Sequence, residues 1–271
     1  KTDANGKATC IAGCPPDEFS ATGQLWGNPI YDWEAMDKDG YKWWIERLRE
    51  SFKIYDIVRI DHFRGFESYW EIPAGSDTAA PGEWVKGPGY KLFAAVKEEL
   101  GELNIIAEDL GFMTDEVIEL RERTGFPGMK ILQFAFNPED ESIDSPHLAP
   151  ANSVMYTGTH DNNTVLGWYR NEIDDATREY MARYTNRKEY ETVVHAMLRT
   201  VFSSVSFMAI ATMQDLLELD EAARMNFPST LGGNWSWRMT EDQLTPAVEE
   251  GLLDLTTIYR RINENLVDLK K

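Results

Sequence analysis

The sequence predicts an α/β protein in which parallel strands alternate with helices, arranged as part of a (β/α)8 barrel of the TIM type. From residue 41 onward short apolar segments alternate with amphipathic helical ones, the order that builds a parallel sheet covered by helices. Acidic residues stand at the carboxyl ends of three of those segments, Asp61, Glu108 and Asp161, the rim on which barrel enzymes assemble their sites. No glycine-rich nucleotide turn follows any strand, which favours the barrel over an open doubly wound sheet.

Taken in order, residues 1–40 are rich in Gly, Pro, Asp and Asn and read as a long loop with short turns. Trp43, Trp44, Ile45, Leu48 and Phe52 recur at helical steps and predict a helix over 41–55. Residues 57–61 read as a buried strand ending in Asp61, and 104–107 as a second, running into Glu108 and Asp109. A helix is expected over 89–100 and another from Thr114 to a stop at Gly125, with Val117, Ile118 and Leu120 inward. Strands follow at 129–136, 153–157 and 206–213, with helical segments between 164 and 184 and over 188–204. A final helix is expected over 245–269, with Leu252, Leu253, Leu255, Ile258 and Ile262 inward. Five strands result, whereas a closed barrel needs eight. The other three are expected upstream of Lys1 or on another polypeptide.

Composition narrows the partners. With 271 residues and 42% hydrophobic content the chain can bury a large core. A net charge of -19, from 46 acids against 27 bases, repels nucleic-acid phosphates and anionic membrane surfaces, so neither is an expected partner. Nine Trp, eleven Tyr and twelve Phe supply flat apolar faces that stack on sugar rings or fill ordinary cores. Cys10 and Cys14 lack the second ligand pair of a zinc site and are expected to be free thiols. No metal or cofactor is expected. There is neither an apolar run long enough to span a bilayer nor a signal-peptide pattern, and a cytoplasmic location is expected. Asp140, Glu141 and Asp144 lack the glycine and terminal Glu of a helix-loop-helix calcium loop and read as a solvated acidic loop.

Three strand-end acids of one barrel face a common rim, where they suit either glycoside chemistry or a metal site. Cleaving a glycosidic bond needs one ionised carboxylate at the anomeric carbon and one protonated carboxyl for the leaving oxygen. Arg59 lies two residues before Asp61, hence on the same face of the strand, where its guanidinium would hold Asp61 ionised. Glu108 follows four uncharged residues, a drier setting that would keep it protonated. Asp also commonly caps helices, so any one of these acids taken alone also reads as a cap.

The motifs around these acids resemble those of the 4-α-glucanotransferases (amylomaltases, or disproportionating enzymes), relatives of the α-amylases. Arg59-Ile60-Asp61-His62-Phe63-Arg64-Gly65-Phe66 is similar to their nucleophile motif, Ala107-Glu108-Asp109-Leu110-Gly111 to their acid/base motif, and Gly158-Thr159-His160-Asp161-Asn162 to the motif of the third acid. Further matches at 23–29, 128–136 and 223–228 extend the resemblance over nearly the whole chain.

The resemblance implies Asp61 as nucleophile, Glu108 as acid/base and Asp161 as the residue gripping sugar hydroxyls, assisted by Arg59 and His160. It implies Trp26 stacking on the glucose beyond the cleavage point, Phe134 and Asn226 lining the cleft, and Asp17 and Phe19 on a loop arching over the glucan. Glu18 stands where that loop carries an aromatic in the family. The implied reaction transfers α-1,4-glucan segments between maltooligosaccharides with retention of configuration. An α-amylase-like hydrolase and a glucan-binding fragment without catalysis are the alternatives. On this reading residues 1–271 are the carboxyl-terminal portion of the catalytic barrel, with 1–40 a loop-rich segment of the substrate cleft.

Overall fold

The computed structural model describes residues 1–16, 20–111, 113–139 and 141–262. The chain forms two compact units, Lys1–Gly128 and Met129–Lys271. The first contains, in order, β1 (Cys10–Cys14), β2 (Gln24–Pro29), α1 (Trp33–Lys38), α2 (Lys42–Ser51), β3 (Val58–Ile60), β4 (Ser68–Pro73), β5 (Glu83–Lys86), α3 (Tyr90–Leu100), β6 (Ile105–Ala107) and α4 (Asp115–Thr124).

The expected loop over 1–40 is instead partly sheet. β1 and β2 join β4 and β5 in an antiparallel sheet of order β2-β1-β4-β5. Its pattern escapes a period-two reading because the register of β1 on β2 shifts between Ile11 and Gly13, a bulge that breaks the alternation of faces. Gly13 sits where a Cβ would meet the Gln24 carbonyl oxygen at 2.1 Å and Ile72 Cδ1 at 2.6 Å, so a close backbone approach excludes any side chain. Cys10 and Cys14 both lie on β1 and form no disulfide.

The part of the first unit that matters most is the parallel pair β3 and β6, with Val58 opposite Ile105, Arg59 opposite Ile106 and Ile60 opposite Ala107. Ile60, Ile105 and Ala107 are buried against Trp44, Ile45 and Leu48 of α2, Leu92, Phe93 and Val96 of α3, and Leu120 of α4. The helical period of α2 is as the sequence predicts, although Trp43 faces solvent. α4 ends at Gly125 in the left-handed conformation, φ 74°, where glycine carries no steric penalty.

The second unit contains β7 (Gly128–Ile131), β8 (Ser153–Tyr156), α5 (Val165–Asn171), α6 (Asp175–Tyr184), α7 (Val193–Ser203), β9 (Met208–Ile210), α8 (Met213–Leu216) and α9 (Pro246–Ile258). Its sheet has the order β7-β8-β9, with β8 and β9 parallel. The strand expected over 129–136 stops early, because Leu132–Ala135 turn into a 3-10 helix. The helix expected over 188–204 starts later: Thr192 Oγ1 accepts from the His195 amide at 3.1 Å and caps α7. Met155, Val165, Trp168, Met181, Val194, Met197 and Val201 make its core. In α9 and just past it only part of the expected inward face is buried: Leu255 is in the core and Leu252 packs against it, but Leu253, Ile258 and Ile262 are exposed. Residues 263–269 of that expected helix lie outside the described residues. Asp144 is not solvated as its acidic loop suggested; it is buried and accepts from the Ile131 amide at 2.9 Å. Asp140 lies outside the described residues.

Before α7, Glu191 is buried and held by both nitrogens of an Arg199 fork, at 2.8 and 3.0 Å, and by His195 Nδ1 at 2.8 Å. The Arg199 hydrogen bonds, followed by that from His195, pull its carboxyl down to about 2. A carboxylate depressed in the fold contributes stability that is present above its unfolded value and is lost as pH falls. Glu191→Gln is therefore expected to destabilise the protein by about 2 kcal/mol at neutral pH. Urea unfolding should show that deficit shrinking as pH drops from 4.5 toward about 2. Among the described residues no helix is long and apolar enough to cross a membrane.

Candidate active site

In the first unit, the β3–β6 register places the residues that follow each strand, Asp61 and Glu108, side by side. The Glu108 amide donates to the Ile60 carbonyl at 2.9 Å, and the Phe63 amide donates to the Glu108 carbonyl at 3.0 Å. Between them His62 adopts a left-handed conformation, φ 50°, and turns the chain sharply. Its amide donates to Glu108 Oε2 at 2.7 Å, while the Leu110 amide donates to Oε1 at 2.8 Å.

The two carboxylates sit in different settings. Asp61 is open, with its side chain 77% exposed, and its Oδ1 lies 2.8 Å from Arg59 Nη1; the ion pair expected from their two-residue spacing forms. Glu108 is largely withdrawn from water. Burial pushes its carboxyl above the usual carboxylate range and outweighs the Leu110 amide; the Asp61 charge pushes further, against the His62 amide and Arg59. One carboxylate is thus open and arginine-paired, while burial biases its neighbour toward the protonated form.

Trp26, on β2, stands edge-on to the His62 ring with centroids 4.8 Å apart and is exposed enough to meet a ligand. His62, which lay inside the nucleophile motif without an assigned role, is pushed down to about 4, first by burial and then by the Arg64 charge. Its ring is therefore neutral at ordinary pH, and its Nε2 is buried with no hydrogen-bond partner among the described residues.

In the second unit, His160 and Asp161 follow β8 on a segment tied at both ends by one buried carboxylate. Asp215 Oδ2 accepts from Thr157 Oγ1 at 2.6 Å and its Oδ1 from the Val165 amide at 2.8 Å. Burial raises Asp215 above the usual range. Asp161 Oδ1 accepts from Asn226 Nδ2 at 2.6 Å, and Oδ2 lies 3.4 Å from His160 Nε2. The Asn226 amide in turn donates to the His160 carbonyl at 3.1 Å. His160, Asp161 and Asn226 are thus brought together, although Asn226 is 65 residues from Asp161.

Trp235, half-exposed, lies against the His160 ring at 5.0 Å, and Arg224 reaches the Asp161 carbonyl. Neither was singled out from sequence, since only the folded loop puts them there. Phe134 sits exposed on the 3-10 turn after β7. Asp17 and Phe19 lie outside the described residues. Among the described residues no group of three or more His, Cys, Asp or Glu side chains is placed to hold a metal ion.

Residues 1–245 match the family model described as 4-alpha-glucanotransferase. A 4-alpha-glucanotransferase of Streptococcus pneumoniae is 99% identical over 271 residues, all of this chain and 54% of that protein. One of Thermus thermophilus is 48% identical over 90% of this chain and 50% of its own length. Among solved structures, an amylomaltase from Streptococcus agalactiae in complex with acarbose superposes with a TM-score of 0.94 at 45% identity, covering 97% of this chain and 53% of that one. The chain spans about half the length of these relatives. With the family model matched over 245 of its 271 residues, the chain belongs to the 4-alpha-glucanotransferase family.

Proposed function

We propose that this chain carries the catalytic acids of a 4-α-glucanotransferase that moves α-1,4-glucan segments between maltooligosaccharides with retention of configuration. The observation that carries the reading is the β3–β6 register, which sets an open, arginine-paired Asp61 beside a half-buried Glu108 whose carboxyl burial pushes up. Neighbouring strands lie about 4.8 Å apart, close to the roughly 5 to 5.5 Å between carboxyls that retention requires.

In the first step Glu108 gives its proton to the leaving glycosidic oxygen while an Asp61 oxygen bonds to the anomeric carbon, forming a glucosyl ester. In the second, ionised Glu108 takes the proton of an acceptor sugar hydroxyl, which attacks the same carbon and releases Asp61. Asp161, aimed by Asn226 and flanked by His160, grips sugar hydroxyls as the ring flattens. Trp26 provides a face for the glucose beyond the cleavage point, and Phe134 and Asn226 line the cleft. Arg59 keeps Asp61 ionised.

The five strands β3, β6, β7, β8 and β9 form part of a (β/α)8 barrel of which this chain is the carboxyl-terminal portion, and residues 1–40 line the cleft. The parallel pairs support this, as does the close superposition on an amylomaltase over half its length.

Incubation with maltotriose tests the reading, both in this chain and in the Streptococcus pneumoniae relative. Glucose accompanied by longer oligomers is the expected product pattern. Reducing ends that rise without elongation would make the protein a hydrolase. If this chain binds maltotriose without turnover while the longer relative transfers, the chain alone is a glucan-binding portion.

A further inference from the structure

We propose that Arg224 is a positioning residue for Asp161, a role that rests on the function proposed above. Its side chain is only 14% exposed, and its guanidinium has a partner in each direction. Nη2 donates to the Asp161 carbonyl at 2.8 Å, Nε to the Asn226 carbonyl at 3.0 Å, and Nη1 to Glu172 Oε1 at 3.2 Å. Its face lies 4.4 Å over the Phe227 ring.

One planar group thereby fixes the backbone of Asp161 and of Asn226, the two residues whose side chains meet at 2.6 Å. Glu172 anchors the plane, since its Oε1 also accepts from Asn163 Nδ2 at 2.7 Å. Asn163, two residues past Asp161, is buried, and its carbonyl accepts from Gln133 Nε2 at 2.9 Å. The clamp therefore runs from the end of α5 through Arg224 to both sides of the Asp161 carboxylate.

Arg224 presents only backbone-directed donors to Asp161 and leaves the carboxylate oxygens to Asn226 and His160. Its effect on chemistry is through aim, and misplacement by about 1 Å costs on the order of a hundredfold. Lysine supplies the charge but cannot span three acceptors in one plane.

The test is carried out on the Streptococcus pneumoniae relative with substitutions at the equivalent positions, reading kcat and KM for maltotriose. Arg224→Lys is expected to lower kcat about 10- to 100-fold with KM moving less than about threefold. Glu172→Gln, which keeps a hydrogen-bond acceptor, should lower kcat in the same direction by less. Combined with Asp161→Asn, Arg224→Lys should add little further loss, because it acts through that carboxylate. Unchanged kcat in both single variants would overturn the role, as would losses that multiply in the double variant. Should Arg224→Lys fail to fold, the Glu172→Gln and Glu172→Gln/Asp161→Asn pair decides by the same criteria. Full activity of Asp161→Asn alone would overturn the proposed function itself, and this role with it.

Discussion

Asp61→Asn is expected to lower glucan transfer by about 10⁴-fold or more, because an amide cannot form the glucosyl ester. The effect should be separable from folding. The Asp61 side chain is 77% exposed, and substitutions at such positions usually change stability by no more than about 0.5 kcal/mol, so the thermal midpoint should barely move. A sharper version uses Asp61→Gly with azide and an α-glucosyl fluoride as donor. Azide would enter from the vacated face, displace fluoride and give the β-glucosyl azide. Wild-type transfer by Asp61→Asn, or an azide product of α configuration, would remove Asp61 from the role of nucleophile.

Glu108→Gln is expected to cost about 10² to 10⁴-fold with maltotriose, and much less in the first step with α-glucosyl fluoride, whose leaving group needs no proton. The pH dependence carries the sign. Glu108 must enter the reaction protonated, so activity falls as pH rises through its ionisation. Since burial holds that ionisation above the usual carboxylate range, the falling limb of kcat/KM should lie above the range of an ordinary glutamate. That limb should disappear in Glu108→Gln. A limb unchanged in the variant would mean another group donates the proton.

Much of the Asp61–Glu108 arrangement is legible in the residues themselves. Arg59 and Asp61 share a face because strand side chains alternate, and the apolar run before Glu108 becomes the three buried residues of β6. Both are local facts. The surroundings of Asp161 depend on long-range returns of the chain: Asp215 reaches Thr157 from 58 residues away and Arg224 reaches Asp161 from 63, distances at which periodicity carries no information. The antiparallel sheet escaped for another reason. Its strands hold Gly13, Gly27 and Pro29 and a register shift, so that turn-forming composition coincides with real pairing. In α9 the run of leucines implied a deep inward face, but Leu253 points outward; a helix this rich in apolar residues gives no unique stripe.

The amide of His62 belongs to the peptide that begins at Asp61, yet it donates to Glu108 at 2.7 Å. The two acids are therefore yoked. A substitution that moves the end of β3 is expected to disturb the Glu108 carboxylate through this bond. On the proposed mechanism, widening the gap between the two acids toward a spacing that admits water would have to break this hydrogen bond at the His62 turn.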